Sequence, residues 1–136
     1  MARTASCACG GLRVTCAAEP VLVSMCHCLA CQRRTGSAYG ITAIFRRDDV
    51  RPEGPSRSYE RASDSGASVL FHFCPDCGST VFWEPRRRPE FVAVAVGAFA
   101  DPTFPAPTQA IYSEHRHPWV GEPGAVESGA GRTTRP

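Results

Sequence analysis

Lysine is missing altogether: all 15 basic residues are arginine, set against 13 acidic residues for a formal net charge of +2. Charges this nearly balanced exert no global pull towards nucleic acid or an anionic membrane. No apolar run approaches the roughly 20 residues needed to cross a bilayer. The opening Met1-Ala-Arg-Thr is not followed by an apolar segment of the kind a signal peptide needs. These absences predict a soluble, cytoplasmic protein. Long helical periodicity is lacking too, and no internal repeat is evident apart from recurring cysteine clusters. The 136 residues suit one domain with a real but modest core.

What is present is punctuation and short β-type runs. Twelve glycines and twelve prolines are spread along the chain and separate segments of alternating or apolar character. "GLRVTC" puts Leu12, Val14 and Cys16 on one face, and "VLVSMC" alternates Val21, Val23 and Met25 against Leu22, Ser24 and Cys26. "AYGITAIF", "SVLFHFC", "STVFWE", "FVAVAVGAF" and "QAIYSE" continue the series. Regular short strands between turn signals predict an all-β sandwich or barrel-like fold. One helical turn or two is expected at "LACQRRTG", ending at Gly36. From Gly121 onward the chain is nearly devoid of apolar residues, so the domain is expected over 1–120 and a disordered tail over 121–136.

Eight cysteines carry the chemistry, and seven of them cluster: Cys7 and Cys9, then Cys26, Cys28 and Cys31, then Cys74 and Cys77. In a reducing cytosol such clusters read as metal ligands before disulfides, and Cys-x-Cys pairs close poor disulfides. "FCPDCGS" has the form of a zinc knuckle, with Gly78 allowing the backbone to turn. "CACGG" offers a second pair, with i and i+2 side chains on one face of an extended segment. Joining the pairs gives a closed four-thiolate structural site, a long-range staple for a small β domain. The triplet then stands alone with one coordination position open, as at a catalytic zinc. Two alternatives compete: buried free cysteines for the pairs, and for the triplet a closed structural site completed by His27, His72 or Cys16. His27 should point away from its neighbouring ligands, Cys16 continues an apolar face, and His72 alternates with apolar neighbours.

With these residues in view, "CACGGLRVTC", "CHCLACQRRTGSAYG", "FCPDCGSTVFW" and "VAVGAFADPTFPAPTQAIYSEHRHPW" resemble, in order from Cys7 to Trp119, the glutathione-dependent formaldehyde-activating enzyme family. The centromere protein V domain belongs to the same group. The resemblance implies a β-tent of short stacked sheets. It implies a structural zinc on Cys7, Cys9, Cys74 and Cys77, and a catalytic zinc on Cys26, Cys28 and Cys31. It further implies a carbon–sulfur lyase that forms S-hydroxymethylglutathione from glutathione and formaldehyde. Gln32, Arg33, Thr35, Gly36 and Ser37 fit the family pattern, as does the closing His-Pro-Trp. The sequence departs from it where Arg116-His117-Pro118-Trp119 replaces a Lys-Ala-Pro-Trp ending, and where no Leu-Pro-Phe closure follows.

An open three-thiolate site would take a small thiol as co-substrate, glutathione or another of low molecular weight, with an aldehyde as its partner. Glutathione carries two carboxylates, and arginine is best shaped to hold one bidentately. Arg33 and Arg34, beside the triplet, are the candidates, with Ser37 and Thr35 as hydrogen-bond donors or turn caps. The Arg86–Arg88 run between two prolines reads as a solvated hairpin tip. The competing function is a zinc-stabilised binding module with two structural sites and no turnover. Neither reading involves nucleic acid or membrane, and both allow a homo-oligomer.

Overall fold

The computed structural model describes residues 2–62 and 66–123. Most of the expected tail, residues 124–136, lies outside the described residues. In chain order the elements are β1 (Arg3–Ser6), β2 (Arg13–Cys16), β3 (Leu22–Cys26), α1 (Leu29–Thr35), β4 (Gly40–Arg46), β5 (Val50–Glu53), β6 (Arg57–Ala62), β7 (Ser68–Phe73), β8 (Thr80–Pro85), β9 (Phe91–Ala95) and β10 (Gln109–Ile111). Three short 3-10 turns follow β4, β9 and β10. The fold is mainly β with one short helix, as the sequence predicts. Among the described residues no helix is long and apolar enough to cross a membrane. The chain divides into two compact units, Met1–Val21 with Ala43–Phe104, and Leu22–Thr42 with Pro105–Pro136.

In the first unit, β1, β2 and β5 form an antiparallel sheet in the order β1-β2-β5. Val14 and Cys16 of β2 are fully buried, the inward half of the alternation read from "RVTC". A second antiparallel series runs β6-β7-β8-β9. Val81, Phe82 and Trp83 are buried in succession, so β8 is covered on both faces, and Trp83 packs on Phe71 with ring centroids 5.5 Å apart. Strand β6 is almost wholly exposed and carries Arg57, Glu60 and Arg61, charges that discourage edge-to-edge pairing. Its lack of an apolar face explains why alternation did not reveal it. Strands β1 and β5 also escaped prediction, being four residues each and, in β5, interrupted by Pro52. Arg86 and Arg88 occupy the turn between β8 and β9 as expected, pairing with Glu60 at 3.3 Å and Glu90 at 3.1 Å.

One close approach fixes the β2–β5 sheet beside the first cysteine pair. Gly54 has φ +98°, and a Cβ there would sit 1.9 Å from the carbonyl oxygen of Gly11. Only glycine satisfies both conditions.

The second unit is built on a parallel pair, β3 with β10, in which Met25 faces Ala110 and Cys26 faces Ile111. Met25, Ala38, Ala110 and Val120 form its buried cluster, with Tyr39 and Ile41 packed against them. Helix α1 starts where Cys28, in extended conformation, caps its first turn, and stops at Gly36 in the left-handed region with φ +66°. That endpoint is the one the sequence predicts.

Candidate metal centres

In the first unit, Cys7, Cys9, Cys74 and Cys77 bring their four sulfurs within 4.8 Å of one another. The Cys7–Cys9 and Cys9–Cys74 Sγ separations are 3.7 and 3.6 Å. Tetrahedral coordination with metal–sulfur bonds of about 2.3 Å requires sulfurs about 3.8 Å apart, so the donor set fits such an ion. Two similar turns deliver the pairs. The Gly10 amide donates to the Cys7 carbonyl and the Gly78 amide to that of Cys74, with φ of +84° at Gly10 and +79° at Gly78. Both turns aim backbone N–H groups at sulfur: Leu12 at Cys7 (3.2 Å), and Asp76 and Cys77 at Cys74 (3.4 and 3.5 Å). Ser79 joins them, its hydroxyl 3.4 Å from Cys77 Sγ and accepting from the Ala8 amide at 3.2 Å.

The electrostatics of these four thiols are uneven. Hydrogen bonding from Ser79, first through its hydroxyl and then its backbone, pulls Cys77 down to about 5, and the Leu12 amide lowers Cys7. At Cys9 the Gly11 amide also pulls downward, but contacts with Cys74, Cys7 and Cys77 together push the thiol up to about 12. Four crowded sulfurs cannot all shed their protons unless a cation joins them.

In the second unit, Cys26, Cys28 and Cys31 likewise place their sulfurs within 4.8 Å. Cys26 ends β3, Cys28 caps α1 and accepts from the Cys31 amide at 3.3 Å, and Cys31 lies in the first turn of the helix. Ile111 and Tyr112 pack against them. Tyr112, in the left-handed region at φ +58°, is a strained position for a bulky residue, held here by burial. Contacts with Cys28 and Cys31, then burial, raise the Cys26 thiol well above its ordinary value. At Cys31 the Cys26 contact lowers the value, but Cys28 and burial outweigh it and the net shift is upward, opposed by the charge of Arg34.

The residues around the triplet divide clearly. Arg33 and Ser37 are exposed. Arg34 is half-buried: one guanidinium nitrogen lies 2.7 Å from where a Cβ on Gly40 would be, so this glycine makes room for the group beside Cys31. Thr35 caps, donating to the Cys31 carbonyl at 2.9 Å and accepting from the Ser37 amide at 3.1 Å. None of the three proposed fourth ligands is within the group of sulfurs. His27 is fully buried with its ring beside Glu122, Cys16 is a core residue whose thiol burial and then Asp49 push up to about 12, and His72 lies 2.6 Å from Glu84.

Sequence reasoning noted Gln32 and the His-Pro-Trp ending without seeing that they meet. The Gln32 side-chain amide donates to the carbonyls of His27 (3.0 Å) and His115 (3.2 Å), and its oxygen accepts from His117 Nε2 at 2.9 Å. His117 in turn sits edge-on to Trp119, which is 75 % exposed. Ser79 and Glu122 were missed as well; only the Cys-Gly-Ser spacing signalled the first, and nothing local signalled the second. A cavity of about 260 Å³ in the first unit, lined by Arg47, His72, Glu84 and apolar neighbours, contains none of the cysteines. Its titratable groups are committed to one another, with Glu84 bridging Arg47 at 3.0 Å and His72 at 2.6 Å.

Comparison with known proteins bears on the fold and the family. A Rhodobacter sphaeroides protein of known crystal structure, a structural-genomics target, superimposes with a TM-score of 0.52 at 24 % identity, over 70 % of this chain and 85 % of that one, and shares the fold. No curated protein matches the sequence. The family model described as glutathione-dependent formaldehyde-activating enzyme matches residues 2–115, most of the chain. The protein belongs to the glutathione-dependent formaldehyde-activating enzyme family.

Proposed function

We propose that the protein is a zinc-dependent carbon–sulfur lyase-type enzyme that combines a small thiol, glutathione foremost, with formaldehyde to give S-hydroxymethylglutathione. The observation that supports this most is the unequal pair of thiol groups, four sulfurs in one unit and three in the other, within a chain of this family. Thiolate donors favour zinc, and the difference between four and three donors separates a closed structural site from one with a position left open. Bound at Cys26, Cys28 and Cys31, zinc would supply the positive charge that keeps a small-molecule thiol deprotonated at neutral pH.

The chain's own residues do the rest. Cys28 and the Cys31 amide hold the triplet at the start of α1, and Arg34 places positive charge beside Cys31. Arg33, exposed on the same helix, is suited to a glutathione carboxylate, and Ser37 just beyond the helix offers a hydroxyl. In the reaction a C–S bond forms, the carbonyl π bond opens, and the thiol proton ends on the former carbonyl oxygen. Nothing is oxidised or reduced, and the reverse direction cleaves the same C–S bond. Formaldehyde is too small to supply much binding energy, so the thiol carries the specificity. We place this reaction in the cytoplasm, in a domain ending near residue 120.

The test combines metal analysis with exchange spectroscopy on an equilibrium mixture of ¹³C-formaldehyde and glutathione. Two zinc ions per chain and faster exchange between free formaldehyde and adduct are expected, with the acceleration lost in Cys28→Ser. Two zinc ions without any acceleration would leave a binding module in place of an enzyme.

A further inference from the structure

His27 is unusual in its setting. It stands between two cysteines of the triplet, yet its ring nitrogens do not join the group of sulfurs, and the residue is completely buried. Burial lowers its pKa, and although Glu122 works in the opposite direction the net shift is downward. Neither ring nitrogen has a well-aligned hydrogen-bond partner among the described residues. The polar contact given to the ring is the carboxylate of Glu122, with Oε2 2.9 Å from Nε2. Tyr39 meets the ring edge-on, with centroids 6.1 Å apart. Glu122 is itself fastened: the Ser113 hydroxyl donates to Oε2 at 2.8 Å, and Arg116 Nε lies 4.0 Å from the same oxygen. Arg116 also donates to the Val120 carbonyl at 2.6 Å, closing residues 116–122 into a compact loop. Glu122 lies beyond residues 2–115, the segment matched by the family model.

We infer that Glu122 is a positioning residue for the thiol triplet, a C-terminal latch that acts through His27 to hold the Cys26–Cys28 segment in its ligand-ready geometry. The physical reason is the cost of stranding a buried polar ring. Remove the carboxylate and the His27 ring keeps no polar contact among the described residues, so it is driven to seek water or another partner. Because His27 is completely buried, its ring cannot turn far without displacing what packs on it, and its backbone joins Cys26 to Cys28. The other attachments of this segment, the His27 amide to the Ile111 carbonyl at 3.0 Å and the Gln32 side chain to the His27 carbonyl, hold its backbone but leave the ring unserved.

The inference rests on the triplet being a metal centre, and the experiment separates the two claims. Zinc release from the full chain to a colorimetric chelator is followed beside the cobalt-substituted absorption spectrum. The native chain should release two zinc ions in two phases, one of which is absent in Cys28→Ser. Glu122→Ala should speed that phase about tenfold, as loss of outer contacts typically does, and leave the other phase unchanged. Its cobalt charge-transfer bands should shift for the triplet alone. Glu122→Gln, which keeps shape and hydrogen bonding, should restore most of the native rate, and truncation after Pro123 should release zinc as the native chain does. Equal acceleration of both phases, no acceleration, or an effect reproduced by truncation after Pro123 would overturn the latch. If Glu122→Ala is insoluble, the His27 ring resonances of Glu122→Gln decide, since unchanged resonances mean that the carboxylate does not act on the ring. A native chain that holds only one zinc ion would instead overturn the metal centre on which the latch acts.

Discussion

The two thiol groups use the same side chain to different structural ends. The group of four draws its members from two turns more than sixty residues apart, so it closes a long loop between the N-terminal sheet and the β7–β8 connection. The group of three comes from six consecutive positions at a strand end and a helix start, and its geometry is largely local. A ligand set that closes a long loop works against chain entropy and is tied to folding, whereas a local set can lose its ion while the surrounding structure persists. Amides are also distributed unevenly. In the first group amides reach every sulfur: Leu12 serves Cys7, Gly11 serves Cys9, Asp76 and Cys77 serve Cys74, and Ser79 serves Cys77. In the second, the Cys28 amide serves Cys26 and the Cys31 amide serves Cys28. This difference supports the proposed reading of the first group as the structural site and of the second as the site of the proposed chemistry.

The largest effect should follow from removing a ligand of the first group. Cys74→Ser is expected to abolish soluble folding, since structural zinc contributes on the order of 10 kcal/mol of folding free energy in small zinc domains. Expression with a cooperative thermal melt would contradict this. Cys28→Ser should lose one zinc ion and all activity while keeping a native-like melt; equal destabilisation by both variants would mean that both sites are structural.

Next in size is Gly54→Ala, which touches no cysteine. A side chain there combines a left-handed backbone with a clash against the Gly11 carbonyl, and should cost at least about 2 kcal/mol by denaturant titration. A neutral outcome would show that the turn after Cys9 yields easily and that zinc alone holds it.

Smaller again is Arg33→Ala, which should weaken glutathione and S-methylglutathione by a similar factor of about ten, the equivalent of a charge-assisted hydrogen bond. Calorimetry should also find proton release with glutathione and none with the S-methyl analogue. Loss of affinity for glutathione alone would move Arg33 from the carboxylate to the sulfur.

The smallest effect concerns Cys16, which belongs to neither group. Its thiol is pushed up to about 12 by burial and then by Asp49, above its ordinary value of 9.0. The unfolded chain therefore loses this proton first. Stability tied to the protonated thiol is complete below pH 9 and is lost as pH rises from there towards 12. Cys16→Ala should flatten the alkaline decline in melting temperature relative to the native chain; parallel declines would place the sensitivity elsewhere.

Sequence alone was sufficient for the features governed by neighbouring residues. The partition of seven cysteines into pairs and a triplet, the helix between Cys28 and Gly36, and the apolar strands β2, β3 and β7 to β9 all follow from spacing, capping and alternation, which act over a few positions. Strands β1, β5 and β6 were not legible, because short or fully exposed strands owe their existence to a partner's hydrogen bonds rather than to a pattern of their own. The same holds around the triplet. Gln32 meeting His117 and Glu122 meeting His27 join residues 85 and 95 positions apart, contacts that no local rule anticipates. Sequence determined which atoms are available to bind a metal; only the tertiary structure decided which distant side chains hold those atoms in place, because that choice depends on how the chain returns upon itself.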